Sequence, residues 1–282
     1  MSAALSLCMI VRNEEVMLPQ CLASVADLVD DIVIVDTGSA DTTRQIARDH
    51  GATVLDFDFA RVDFAGARNH GLGHARGAFI LVLDADEVVD PASWPHIHAH
   101  VMDGQDVGYI ATRRNHPHES PTSVRLDHAV RLFPNRPCYR YRRRVHETID
   151  DSILAGGGRL RRSAIMLDHF LPAVESQRAK GKRYLDLLLQ DVAEEPNETD
   201  RLVFLAAEYH QLEMFDEATA VAERIAQLCP QDFRAQLNAG LYHAVHQRDL
   251  DRARIDLAAA LRLRPDDPEA HALREAIDDG LR

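Results

Sequence analysis

Lysine and cysteine are both scarce in this chain. The first shortage bears on the ligands that its positive charges favour, and the second on the state of its thiols. Only Lys180 and Lys182 are lysines among 32 basic residues, so positive charge comes from arginine, which favours bidentate contacts with phosphate and carboxylate. The 4 cysteines are scattered without CxxC spacing, which is typical of reduced, mostly buried thiols. Acidic residues outnumber basic ones and give a net charge of −13, which disfavours nucleic acid as a partner.

Long hydrophobic runs and several familiar motifs are also missing. No apolar stretch reaches transmembrane length, and the N-terminus lacks the basic segment of a signal peptide. We therefore expect a cytoplasmic protein and leave association with the inner face of the membrane open. The first apolar run is not followed by GxGxxG or P-loop glycines, which argues against a dinucleotide or P-loop site. The lack of a GxSxG elbow argues against a serine hydrolase.

Apolar runs that alternate with helical patterns predict an α/β fold for the N-terminal part of the chain. The runs suited to buried strands lie at 4–11, 31–36, 53–57 and 78–83. Because a helical pattern separates each run from the next, they predict a parallel sheet with right-handed crossovers. A helix is then predicted over 91–102, and further strands at 107–114, 124–133, 139–149 and 159–169. These later strands predict an antiparallel extension, and hence a mixed sheet with flanking helices.

A repeat period replaces the strand signals from residue 173 onward. Pro196, Pro230 and Pro265 are spaced 34 and 35 residues apart, and Ala218 recurs as Ala253. This period in an all-helical segment is typical of a helix–turn–helix repeat, in which proline ends the second helix. We predict two tetratricopeptide-like repeats, preceded by a helix over 173–194 and closed by one over 267–280. The predicted domains are 1–172 and 173–282.

Two carboxylates, Asp84 and Asp86, directly follow the fourth apolar run. Like charges at this spacing repel each other, so bringing both to one strand end is costly. A divalent cation removes this cost, since Mg²⁺ and Mn²⁺ prefer oxygen ligands. Ligands of open α/β sheets bind at the carboxyl ends of strands, so the motif predicts a metal site for a phosphorylated ligand. The alternative is that the two aspartates form a turn and cap a helix.

An arginine-rich stretch interrupts the otherwise acidic chain. Residues 113–162 contain 12 arginines and 5 acidic residues, a net charge of +7, whereas residues 191–282 carry −10. Guanidinium groups bind anions well, so we expect the arginines near the strand ends to face an anionic ligand. The alternative is that they pair with the acidic C-terminal region.

Four segments lie in the order of the motifs of one enzyme family. They are SLCMIVRNEE at 6–15, IVIVDTGSAD at 32–41, ARNHG at 67–71 and FILVLDADE at 79–87. With these segments the chain resembles the family 2 glycosyltransferases of the GT-A fold. The tripeptide VHE at 145–147, His169 and the C-terminal repeats resemble a subgroup of that family. The resemblance implies a GT-A mixed sheet followed by an all-α tetratricopeptide-like domain, and inverting transfer from a nucleotide-diphosphate sugar.

The resemblance also implies where the donor binds, with a UDP-sugar as the expected donor. The positions carried over to nucleotide-sugar binding are Ile10, Val11, Asn13, Asp36, Arg68 and Asp84. Asp36 would accept a hydrogen bond from the nucleobase beside the backbone of the first strand. Arg68 would lie at or near the diphosphate, and Asp84 would contact the ribose or the sugar.

Metal and base roles follow from the same resemblance. Asp86 would bind Mg²⁺ or Mn²⁺, and His169 is a further candidate ligand. Glu147 is the candidate base that removes the proton from the acceptor, with Glu87 and Asp168 as alternatives. Such a base contributes ~10²–10⁴-fold to a reaction rate.

The partners that this interpretation implies are a nucleotide-sugar donor and an acceptor glycan, lipid-linked glycan or peptide. The helical repeats add a candidate surface for a protein partner. Two other functions stay open on the sequence alone. One is a nucleotidyltransferase on a similar sheet, although the first strand is followed by RNEE at 12–15 and not by a glycine-rich basic loop. The other is a non-catalytic adaptor with a degenerate GT-A domain.

Overall fold

A computed structural model describes residues 4–58, 63–118, 123–171, 174–247 and 249–279. The chain divides into two compact units, residues 1–174 and 175–282. The first unit contains a β-sheet with helices on both faces, and the second is helical. The predicted α/β fold followed by an all-helical region is therefore confirmed. The predicted start of the first helix of this region, Ala173, and the predicted end of its last helix, Gly280, lie outside the described residues.

The first unit is built on one sheet of eight strands. The strands are β1 (Leu5–Val11), β2 (Asp31–Asp36), β3 (Thr53–Asp56), β4 (Phe79–Val82), β5 (Glu87–Val89), β6 (Val107–His116), β7 (Arg125–Pro134) and β8 (Arg159–Phe170). They lie in the order β3-β2-β1-β4-β7-β6-β8-β5. Strands β1 to β4 pair in parallel, and β7 joins β4 in antiparallel orientation. The sheet is therefore mixed, as predicted. The extension is not wholly antiparallel as expected, because β6 and β8 pair in parallel.

Within the described ranges, five α-helices accompany this sheet. They are α1 (Leu18–Ala23), α2 (Thr43–Asp49), α3 (Phe64–Leu72), α4 (Trp94–Asp103) and α5 (Asp150–Ala155). Apolar residues of α1, α2 and α4 pack in the core cluster on one face of the sheet. Residues of α3 and α5 pack in the cluster on the other face. Because both faces are covered, the strands read as continuous apolar runs without alternation.

The carboxyl ends of β1, β2 and β4 lie side by side, which positions the candidate site. Strand β1 is central, with Val11 in register with Asp36 on one side and Cys8 in register with Val82 on the other. The chain enters β4 through Gly77, where a Cβ atom would approach the backbone nitrogen of Ser6 to 2.4 Å. Only glycine fits such a close backbone approach, so Gly77 fixes the position of the acidic strand against β1.

The strand predicted over 139–149 is wrong. This stretch is an irregular loop with a single antiparallel bridge between Arg142 and Thr148. Arg143 and His146 have φ angles of 74° and 54°, a left-handed conformation that breaks an extended strand. The loop leads into α5, which was not predicted. The short strand β5 was also missed, because only three residues follow the acidic motif before the chain turns.

The second unit is a series of helices. They are α6 (Val174–Glu194), α7 (Thr199–Gln211), α8 (Phe215–Leu228), α9 (Phe233–Tyr242), α10 (Leu250–Leu263) and α11 (Pro268–Asp278). Pro196, Pro230 and Pro265 each lie two residues beyond a helix end, as the repeat pattern predicted. Ala218 and Ala253 are fully buried, which fits small residues at close helix contacts. Among the helices of the described ranges, none combines the length and apolar character needed to cross a bilayer.

Candidate active site

The turns that follow β1 and β2 are joined by hydrogen bonds. Asn13 has a φ angle of 56°, a conformation that asparagine adopts more readily than most residues. Its backbone N–H donates to the Ser39 hydroxyl at 2.9 Å, and its side-chain oxygen accepts the N–H of Ala40 at 2.8 Å. Asn13 therefore holds one wall of the crevice in place. Any contact that it makes with a ligand would come in addition to this role.

Asp36 lies at the end of β2 and is almost fully buried. One carboxylate oxygen, Oδ1, accepts the backbone N–H groups of Gly38 and Ser39, each at 3.1 Å, and is 3.3 Å from Arg44. The other oxygen, Oδ2, is buried and has no hydrogen-bond partner within the described part of the chain. Leaving a buried acceptor unsatisfied is costly. A ligand that brings an N–H donor to this oxygen would remove the cost.

Asp84 is clamped by two arginines. Its Oδ1 is 2.7 Å from Arg68 Nη2, and its Oδ2 is 2.9 Å from Arg131 Nη2. Burial alone would raise the pKa of Asp84, but the charges of Arg131 and Arg68 outweigh it and hold that pKa well below its usual range. Because both oxygens are engaged by cations, Asp84 is poorly suited to bind a metal ion.

Arg68 links the acidic motif to Glu147. The Arg68 guanidinium donates from Nε to Glu147 at 2.7 Å and lies 5.4 Å from the ring centre of Tyr141. Its Nη1 is buried without a partner among the described residues. The guanidinium thus bridges Asp84 and Glu147, and its third nitrogen is left for another acceptor. Sequence motifs 79 residues apart meet at this one side chain.

The two alternatives to Glu147 as a base are both engaged elsewhere. Glu87 has no exposed surface and binds Arg131, Arg113 and the backbone N–H of Asp84. Burial is the largest influence on the Glu87 carboxyl and raises its pKa. Glu87 therefore cannot meet an acceptor without a rearrangement.

Asp168, the other alternative, is bound by Arg114 at 2.7 Å and by His116 at 2.7 Å. Glu147 is bound by Arg68 at 2.7 Å. Of the three candidate bases, Asp168 is the most exposed, at 24%, but two basic side chains hold its carboxylate. Glu147 is 14% exposed and pairs with one arginine, Arg68, within the described part of the chain.

Asp86 and His169 face each other across the site. The pairing of β5 with β8 sets Glu87 opposite His169, and Asp86 Oδ2 lies 3.5 Å from His169 Nε2. Burial alone would lower the pKa of His169, but the hydrogen bond and charge of Asp86 and the charge of Glu87 outweigh it and raise that pKa. The same carboxylates would stabilise a divalent cation at this place.

These two side chains fit a metal ion only in part. Within the described ranges, no group of three or more His, Cys, Asp and Glu side chains is arranged to hold a metal ion. One carboxylate and one imidazole do not form a closed cage. Mg²⁺ and related ions are commonly bound by one or two protein groups together with phosphate oxygens of the substrate. Asp86 and His169 fit that type of shared site, in which the remaining ligands come from a bound diphosphate.

Sequence reasoning missed Arg131. Arg131 is buried within β7, where it binds both Asp84 and Glu87. A signal was available, because Arg131 interrupts the apolar run AVRLF at 129–133. A charge at a core position of a strand needs a buried partner of opposite charge.

The model of glycosyl transferase family 2 matches residues 6–170. The chain belongs to this family. Family membership makes it a glycosyltransferase by type, and the nucleotidyltransferase alternative loses its support.

Two curated relatives match part of the chain. One is the TPR repeat-containing protein Synpcc7942_0270 of Synechococcus elongatus, 43% identical over 153 residues, which are 54% of this chain and 37% of that protein. The other is an undecaprenyl-phosphate 4-deoxy-4-formamido-L-arabinose transferase of Shewanella sediminis, 29% identical over 45% of this chain and 38% of that protein. The chain spans little more than a third of the length of each.

A solved structure supports the fold. The chain is similar to S. aureus TarS residues 1–349 in complex with UDP, with a TM-score of 0.52 and 14% identity over 98% of this chain and 92% of that one. At this identity the similarity establishes the GT-A fold and nothing finer. The GT-A sheet, predicted from four short motifs, and the helical C-terminal region, predicted from the spacing of the prolines, are thus confirmed.

Proposed function

We propose that this glycosyltransferase moves a sugar from a UDP-sugar to an acceptor hydroxyl with inversion of configuration, assisted by a divalent cation. The observation that carries the proposal is the buried, unpartnered Oδ2 of Asp36 at the carboxyl end of β2. The imide N–H of uracil is a donor of the kind this oxygen lacks. The backbone at Ile10 and Val11, in register with Val35 and Asp36, would line the base.

In this proposal the diphosphate lies between Asp36 and the pair formed by Asp86 and His169. Asp86 and His169 would hold Mg²⁺ or Mn²⁺ together with phosphate oxygens. When bound, the cation neutralises charge that develops on the leaving diphosphate. Asn13 would contribute through the wall that it stabilises, and Asp84 would act on the donor side through the arginines that it binds.

Glu147 is the proposed base. It removes the proton of the acceptor hydroxyl while the acceptor oxygen forms a bond to the anomeric carbon. The bond from that carbon to the diphosphate oxygen breaks, and UDP leaves with the bonding pair. One in-line displacement inverts the configuration, and its transition state resembles an oxocarbenium ion. Arg68 holds Glu147 in position through a 2.7 Å hydrogen bond.

The acceptor is proposed to be a glycan, a lipid-linked glycan or a peptide. The name of the Shewanella relative includes undecaprenyl phosphate, which supports a lipid-linked acceptor among these classes. The helical unit is proposed to bind the acceptor or a protein partner, as the resemblance to tetratricopeptide repeats suggests.

The donor proposal is tested by thermal stabilisation with a panel of nucleoside diphosphates, with and without Mn²⁺. A ligand at a hundred times its dissociation constant stabilises a protein by about 2.7 kcal/mol, so UDP should raise the melting temperature measurably. In Asp36→Asn an amide N–H would replace the unpartnered oxygen, and UDP affinity should fall about tenfold or more. If no nucleoside diphosphate stabilises the wild type, the donor proposal is wrong.

The metal role has a separate test. Asp86→Asn should keep the melting temperature of the wild type without ligand, because Asp86 forms no buried clamp of the kind that holds Asp84. It should lose the additional stabilisation that Mn²⁺ gives in the presence of UDP, and turnover with it. Unchanged activity in this variant would remove the cation from the mechanism.

A further inference from the structure

Asn115, a residue of β6 that no sequence motif singles out, contacts the candidate metal ligand His169. The two residues are in register between β6 and β8. Asn115 Oδ1 lies 2.6 Å from His169 Nδ1, and Asn115 is buried, with 8% of its surface exposed. One of these two side chains must donate the hydrogen of this short, buried contact.

The orientation of the Asn115 amide determines which side chain is the donor. Its Nδ2 donates to the backbone carbonyl of Arg125 at 3.2 Å. Burial alone would raise the pKa of Asp127, but the hydrogen bond and charge of Arg113 outweigh it, and a hydrogen bond from Asn115 adds to the lowering of that pKa. An amide turned by 180° would bring its oxygen against a carbonyl and a carboxylate, which can only accept. The Asn115 oxygen therefore faces His169.

An amide oxygen accepts hydrogen bonds and donates none. His169 Nδ1 must then carry the hydrogen of the 2.6 Å contact. In a neutral imidazole with its hydrogen on Nδ1, the lone pair is on Nε2. Nε2 is the nitrogen that lies 3.5 Å from Asp86, so the lone pair points to the place proposed for the cation.

We propose that Asn115 is a positioning residue for the metal site: it keeps the Nδ1 hydrogen of His169 in place and so presents Nε2 to the cation beside Asp86. This inference rests on the metal role in the proposed function. Partners of this kind fix the tautomer and the ring orientation of a ligating histidine, and their loss typically lowers metal affinity about 10–100-fold.

The test measures Mn²⁺ binding directly, by electron paramagnetic resonance titration of the full chain with UDP present. Asn115→Ala should raise the dissociation constant for Mn²⁺ about 10–100-fold. Its affinity for UDP without metal should stay within about twofold of the wild type. Asn115→Asp keeps an acceptor oxygen for Nδ1 and should recover part of the Mn²⁺ affinity.

Asn135→Ala is the matched control. Asn135 also donates from its side chain to backbone carbonyls, those of Ala75 at 3.1 Å and Gly77 at 2.9 Å, but it has no contact with His169 in the described part of the chain. Its Mn²⁺ affinity should equal that of the wild type. An equal loss in both variants would mean that Asn115 acts through general stability, and would overturn the inference.

A second measurement needs no metal. Nitrogen-15 spectra of histidine-labelled protein at alkaline pH, where the ring is neutral, should show the hydrogen of His169 on Nδ1. Asn115→Ala should produce a mixture of tautomers. A wild type with the hydrogen on Nε2 would overturn the inference.

The outcomes separate this inference from the proposed function. If the wild type binds no Mn²⁺ with UDP present, the metal role fails and the inference fails with it. If the wild type binds Mn²⁺ and Asn115→Ala binds it equally well, the inference alone is overturned.

Discussion

Replacing Arg131 by methionine tests whether the buried charge network holds the acidic motif in place. The Arg131 side chain is 6% exposed and contacts Asp84 and Glu87, and Glu87 has no exposed surface. Removing one partner of a buried ion pair costs about 3–5 kcal/mol, because the other charge is left without compensation. Methionine keeps much of the volume of arginine, so the loss of charge and hydrogen bonds dominates.

The lower end of this range applies here. Glu87 keeps Arg113 at 3.2 Å and the backbone N–H of Asp84, and Asp84 keeps Arg68 at 2.7 Å. Burial already raises the pKa of Glu87, so this carboxyl can take up a proton in the variant and limit the cost. We expect Arg131→Met to lower the free energy of unfolding by about 3 kcal/mol.

The single tryptophan of the chain gives a selective assay. Trp94 lies in the first unit, where its indole N–H donates to the carbonyl of Ser24 at 3.2 Å. Its fluorescence in urea therefore follows the unfolding of that unit. Arg136→Met is a matched control, because Arg136 is half exposed and pairs with Asp106 at 2.9 Å, and exposed ion pairs contribute only about 0–1 kcal/mol.

A double variant completes the test of the network. In Arg131→Met with Glu87→Gln, the uncompensated carboxylate is gone. The cost of the pair should therefore be smaller than the sum of the two single costs, by about 0.5–3 kcal/mol. If Arg131→Met lies within about 1 kcal/mol of the wild type, or if the two costs simply add, the network does not have the role described.

Two further predictions concern single groups. Burial alone would raise the pKa of Asp31, but hydrogen bonds from the backbone and side chain of Arg76 outweigh it and lower that pKa. Asp31 therefore adds stability above its unfolded pKa of ~3.9 that is lost as the pH falls through the folded value, and Asp31→Asn should flatten the acid side of the stability curve. Burial raises the pKa of Cys8 to about 12 and holds that of Cys21 well above its usual value, so a thiol reagent at pH 8 should modify the exposed Cys138 and reach these two only after unfolding.

The parallel half of the sheet could be predicted from the sequence for a physical reason. Its strands are buried on both faces, so each is a continuous apolar run bounded by a polar turn. The prediction for 31–36 coincides with β2, and that for 4–11 differs from β1 by one residue. The helical region could be predicted because proline ends helices wherever it falls, and its spacing survives in the sequence.

The loop at 139–149 could not be predicted in the same way. Tyr139, Tyr141, Val145 and Ile149 are all buried, and their apolar side chains imitate a strand. Arg143 and His146 adopt a left-handed backbone conformation that interrupts the extended chain. Neither arginine nor histidine indicates that conformation in the sequence. The conformation is set by the contacts of the loop with α3, including the N–H of Phe64 that donates to the carbonyl of Arg144 at 2.9 Å.

The two aspartates of the acidic motif look alike in the sequence, and their partners make them different. Repulsion between Asp84 and Asp86 suggested that a cation must neutralise both. Asp84 is neutralised by Arg68 and by Arg131, which lies 47 residues further along the chain. It therefore needs no metal ion to compensate its charge. In the proposed function the cation would therefore lie beside Asp86, which faces the imidazole of His169. The spacing of the two aspartates in the sequence shows that negative charge is concentrated there. Which carboxylate is already paired with a cation can be seen only in the folded chain.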